Sequence, residues 1–173
     1  VIHYLTGDLP YLPVDEPRYR QPAKLYEALR ASDALVISHH PGHPVPGWVP
    51  GTDYAVLETD VERLIEIWSM HGSSEGYDPT DRPMRKPGKS VLQALKEGLR
   101  VGFVGGSDTH GGRPGGSAKE PLGYWGGLAS VWADDLTREG LFRALYARRT
   151  VALTQARILV QFKVNDAWMG SEL

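Results

Sequence analysis

A parallel α/β fold is the architecture this 173-residue sequence predicts, on three observations. Short apolar runs alternate with amphipathic helical stretches, links from helix to strand are short, and links from strand to helix are long and rich in turn residues. Continuous apolar runs mark strands covered on both faces, and their alternation with helices marks βαβ units.

The elements follow in order. Val1, Ile2, His3, Tyr4 and Leu5 read as a strand entered in its middle, with neither Met nor a basic leader, and are expected to continue a longer polypeptide. Pro22 opens a helix over 22–31, with Leu25, Tyr26, Ala28 and Leu29 on one stripe. Ala34, Leu35, Val36, Ile37 and Ser38 form a strand, and 64–69 form a second. Ser90 caps a helix carrying Val91, Leu92, Leu95 and Leu99, and a third strand follows over 101–105. A fourth covers 128–133, and Thr137 opens a helix with Leu141, Phe142 and Leu145 inward. From 157 to 165, Ile158, Val160, Phe162 and Val164 alternate with Leu159, Gln161 and Lys163. Period two over a half-exposed strand predicts an antiparallel element, or the start of an appended β-domain. The expected organisation is a barrel-like unit over 1–155 and a β-rich extension starting at 156–173.

Composition removes several function classes. The formal charge of −2 gives no basic field for nucleic acid. No apolar run nears the ~20 residues that span a bilayer, and a cytoplasmic location is the expectation. The absence of Cys excludes disulfides, zinc fingers, iron–sulfur ligation and thiol catalysis. Neither a Gly-x-x-x-x-Gly-Lys-Ser/Thr loop nor a Gly-x-Gly-x-x-Gly loop occurs.

The histidines carry the strongest signal. His39, His40, His43, His71 and His110 fall at the openings of the three long strand-to-helix links, five of the six His in the chain. In parallel α/β folds, ligands bind beyond the carboxyl ends of the strands, where such links gather. Asp108 and His110, two apart in extended backbone, share a face, a good arrangement for holding divalent metal; the plainer reading is a loop cap beside an exposed His. His39 and His40 face opposite ways in a strand, so one of the two is the ligand, and Pro41 keeps His40 extended. His43 reads as a rim residue, His71 as a third convergent imidazole, and Glu75 as a turn carboxylate. Glu66, inside Leu64-Ile65-Glu66-Ile67-Trp68, needs a metal, an Arg or a hydrogen-bond donor if buried; otherwise Ile65 and Ile67 face the core and Glu66 faces water. Arg113 suits an anionic substrate, with Trp48, Tyr124 and Trp125 as pocket walls.

These residues resemble a known family. Ile37-Ser38-His39-His40-Pro41-Gly42, Ile65-Glu66-Ile67 followed by His71, and Gly105-Gly106-Ser107-Asp108-Thr109-His110 look like the later motifs of the PHP (polymerase and histidinol phosphatase) superfamily. The Met70 to Glu75 segment and the Gly112-Arg113-Pro114-Gly115 loop are similar to a PHP-like bacterial domain of unknown function. The resemblance covers roughly residues 22–165. It implies a distorted (β/α)7 TIM-like barrel, of which this chain is about the C-terminal half, and a centre of two or three divalent ions (Zn, Mn or Fe). Carried over, His40, His71, Asp108 and His110 become metal ligands, Glu66 a supporting carboxylate, and His39 a lesser candidate. Gln155 stands where the pattern expects Gly. The family's opening His-x-His, bridging Glu and intervening His have no counterparts, so a missing N-terminal barrel half, in cis or on another chain, is expected to complete the site.

The expectation is a metal-dependent hydrolase acting on a small anionic phosphoester, with Asp108, His110 and Arg113 at the chemistry and no nucleic-acid or membrane partner. The alternatives are hydrolysis of an amide or sulfate ester by the same metals, or an inactive half-barrel that binds or scaffolds.

Overall fold

A computed structural model describes residues 2–5, 7, 11–13, 15–39, 41–42, 51–76, 88–112 and 125–173. His40, His43, Trp48, Arg113 and Tyr124 lie outside the described residues. The chain is a mixed α/β structure built on a sheet in which β2 (Ala34–Ser38), β3 (Glu62–Ser69) and β5 (Gly102–Gly105) run parallel, with β3 between the other two. β1 (Ile2–Tyr4) adds antiparallel to β2, and the short β4 (Gly72–Ser73) folds back on the end of β3. Among the described residues the strands form no closed barrel.

The helices form where local chemistry starts them. α1 (Pro22–Leu29) has Pro in its first turn, where a missing N–H costs nothing. α2 (Val91–Lys96) is capped by Ser90 Oγ, which accepts the Gln93 N–H at 3.3 Å. α3 (Arg138–Tyr146) is capped by Thr137 Oγ1, accepting the Gly140 N–H at 3.0 Å. Tyr26 and Leu29 of α1 pack on Ala34, Val36 and Val61, whereas Val91 and Ala94 of α2 pack on Ile65, Tyr54 and Val101. On the opposite face Leu35, Leu64 and Val104 meet Phe142 and Leu145 of α3. Ala28, Leu92 and Leu95, expected inward, are exposed; the short α2 buries only one stripe, through Val91 and Ala94.

Two departures from an all-parallel pattern stand out. β6 (Leu128–Val131) pairs antiparallel with β7 (Thr150–Leu153), a strand the hydropathy pattern does not announce. The 157–165 alternation yields only the hairpin β8 (Lys163–Val164) and β9 (Ala167–Trp168), and residues 156–166 are exposed throughout. Arg148 fastens this hairpin to the body. Its buried guanidinium donates to the carbonyls of Gly170 (2.8 and 3.1 Å) and Arg100 (3.0 Å) and pairs with Glu172 at 3.0 Å. No helix among the described residues is long and apolar enough to cross a membrane.

Candidate metal centre

Parallel strands bring the site residues to one end of the sheet. His39 follows β2, Glu66 lies within β3, His71 follows β3, and Asp108 and His110 follow β5. Period two explains the placement on β3. Ile65 points toward α2, so Glu66 points to the opposite face, where it is 8% exposed. The solvent-facing alternative for Glu66 is thereby replaced by a buried carboxylate with a hydrogen-bond partner. Glu66 Oε1 lies 2.9 Å from His39 Nδ1. The imidazole then turns its other nitrogen to Asp108, with Nε2 3.4 Å from Oδ1.

Asp108 is the hub. Its Oδ2 is 2.8 Å from His71 Nε2, and its Oδ1 is 3.5 Å from His110 Nε2. The Asp108–His110 convergence does not use the extended backbone that the spacing predicts. Asp108 has φ +52°, in the left-handed region, which Asp tolerates better than most residues because its short polar side chain bonds locally. A turn, rather than strand alternation, brings the pair together. The His110 side chain is 77% exposed, whereas those of Asp108 and His71 are 11% and 16% exposed.

Opposite charges are paired here. Burial opposes the charged imidazole of His39, yet its hydrogen bonds to Asp108 and Glu66 prevail and push its pKa up to about 9. Burial likewise disfavours the Asp108 carboxylate, but His39 and His71 hold it well below the usual carboxylate range. Two carboxylates thus share a mostly buried pocket with three imidazoles. Ligand atoms of His71, Asp108 and His110 all lie within 4.8 Å of one another, which suits one cation. Oδ2 of Asp108 is buried and, although close to His71 Nε2, accepts no well-aligned hydrogen bond. A carboxylate oxygen and an imidazole nitrogen 2.8 Å apart offer two ligand atoms to one cation when the imidazole is neutral.

His39, the lesser of the two sequence candidates on its strand, reaches Asp108; His40 and Arg113 fall outside the described residues. Glu75 is exposed and receives no role. Trp125 is 46% exposed, and its carbonyl accepts the Trp68 indole N–H at 3.0 Å. Glycines shape the site more than sequence reading allows. A Cβ at Gly106 would collide with the Glu66 carboxylate, and one at Gly126 would come within 2.8 Å of Ser107 Cα. Gly105 and Gly106, immediately before Ser107 and Asp108, are both points of close packing, since a Cβ at Gly105 would come within 2.6 Å of the Leu128 carbonyl oxygen.

With this geometry in place, comparison with known proteins adds a lineage. The chain is similar to chlamydial proteins. It is 33% identical over 159 residues to an uncharacterized protein of Chlamydia pneumoniae, covering 87% of this chain and 25% of that protein. Uncharacterized proteins of Chlamydia muridarum and Chlamydia trachomatis are each 34% identical over 132 residues, covering 71% of this chain and 21% of theirs. The chain thus spans a quarter or less of the length of these relatives. No protein-family model and no solved structure matches it.

Proposed function

We propose that this chain carries the C-terminal part of a PHP-type metal-dependent hydrolase, acting on a phosphoester. The observation that carries the reading is the convergence of His71, Asp108 and His110 within 4.8 Å at the carboxyl ends of parallel strands. The sheet is read as part of a distorted (β/α)7 barrel, because β2, β3 and β5 are parallel and open their ends toward the same cluster. The PHP resemblance of the same motifs gives the reaction class.

Divalent ions on such donors supply Lewis acidity and a bound water acidic enough to act as hydroxide near neutral pH. The residues of this chain divide the remaining work. Asp108 presents both carboxylate oxygens, one toward His71 and one toward His39 and His110. Glu66 holds Nδ1 of His39 and so fixes which nitrogen faces Asp108. Arg113 serves to neutralise the anionic group of the substrate.

The test is hydrolysis of a phosphodiester and a phosphomonoester by the protein expressed with all the polypeptide its gene encodes, before and after chelation, with Zn, Mn or Fe(II) restored. Phosphoester turnover that vanishes on chelation and returns with one of these metals is expected. Turnover of a sulfate ester or amide in its place moves the chemistry to that bond. Absence of both activity and bound metal overturns the reading.

A further inference from the structure

Beyond the metal centre, the least explained surface is the stretch after β7. Ile158, Leu159, Val160, Phe162 and Val164 are 60%, 79%, 37%, 59% and 42% exposed. Isolated exposed apolar residues need no explanation, but a run of this density marks a surface that is covered in use. Its backbone is equally lopsided. The carbonyl of Val160 accepts the Trp132 indole N–H at 2.9 Å, and that of Phe162 accepts the Met169 N–H at 3.0 Å. These two carbonyls face the body and the hairpin, whereas the Ile158 N–H bonds back to the carbonyl of Ala156 at 2.9 Å. Residues 157–162 pair in no sheet, and among the described residues no hydrogen bond reaches the backbone of Leu159 or Gln161.

A segment with unused backbone donors and acceptors, flanked by apolar side chains, is a template for strand pairing. Between this segment and the β6–β7 pair lies a cavity of about 370 Å³, lined by Leu128, Ala129, Ser130, Leu153, Ile158 and Leu159. We propose that residues 157–163 form the edge of a β-sheet that is completed by a strand from the same polypeptide, outside the segment described here. The relatives identify the source, since the matched region is only 21–25% of their length and leaves ample chain to supply such a strand. The strand it fits alternates apolar residues, to continue the face of Ile158, Val160 and Phe162, and it bonds through the backbone of Leu159 and Gln161. Arg148 gives the new sheet its fixed anchor, because it already binds the hairpin at Gly170 and Glu172.

Hydrogen exchange read by mass spectrometry, on the protein with all the polypeptide its gene encodes, tests this. Peptides covering 157–163 are expected to exchange at least about a hundredfold slower than unstructured chain, equally at low and high protein concentration. Gln161→Pro removes one pairing N–H and is expected to accelerate exchange in a second, sequence-distant peptide, which identifies the partner strand. Phe162→Ser, a milder change on an exposed residue, is expected to do the same to a smaller extent. Exchange at the unstructured rate overturns the proposal. So does protection that appears only as concentration rises, which indicates a second copy, and so does a gene that encodes no further polypeptide.

Discussion

The Glu66 carboxylate fills the space that a β-carbon would occupy at Gly106. That contact links two strands, because Gly106 follows β5 and Glu66 belongs to β3, and it fixes the carboxylate that holds His39. Gly106→Ala is therefore expected to push Glu66 aside and free the imidazole. Supporting hydrogen bonds of this kind are worth roughly 10- to 100-fold in metal affinity. Calorimetric titration of Gly106→Ala with Zn or Mn should show a loss in that range, and Glu66→Gln a loss of similar size.

Arg148 is a buried cation whose three guanidinium nitrogens all find partners on Arg100, Gly170 and Glu172. Arg148→Ala leaves those carbonyls without donors and detaches the hairpin. A loss of about 2–4 kcal/mol of stability is expected, read by urea denaturation.

Glu172 gives that cluster a pH dependence. Hydrogen bonds from Arg148 and Arg100 hold its pKa below the ordinary value of 4.5 in the folded state. A depressed carboxylate contributes stability that is present above the unfolded pKa and is lost as pH falls through the folded one. Melting temperature should therefore fall on acidification below about pH 4.5, and the fall should be shallower in Glu172→Gln.

Gln155 has φ +137°, a backbone region that favours glycine. Strain of this type costs on the order of 1–3 kcal/mol, part of which glycine returns as chain entropy. Gln155→Gly should raise stability by about 1 kcal/mol in the same denaturation assay.

Much of this was readable from the residues. The bounds of β2, the Pro start of α1 and the Ser90 and Thr137 caps follow from apolar runs and capping chemistry. So does the gathering of His39, His71, Asp108 and His110, since strand-end position alone predicts it. That His39 would reach Asp108 was not readable, because it depends on where Glu66 sits across the sheet. Strand β7 was hidden because α3 is followed by Arg148 at φ +60°, where a helix more often signals its end with Gly. The β8–β9 turn uses Asn165 at φ +53°, a hairpin signal that the long alternation before it masked. Glu66 stayed ambiguous for a plain reason: alternation says which face a residue takes, not whether that face is covered.

The central claim is that Asp108 organises a divalent-metal site, and metal content measures it most directly. Asn tolerates a left-handed backbone as well as Asp does, so Asp108→Asn removes the charge while keeping the turn. Purified protein, dialysed against metal and analysed by plasma mass spectrometry, should retain at least about one divalent ion per chain. Asp108→Asn should retain almost none, with an unchanged circular dichroism spectrum. Equal metal in both proteins, or none in the unmodified one, would contradict the account.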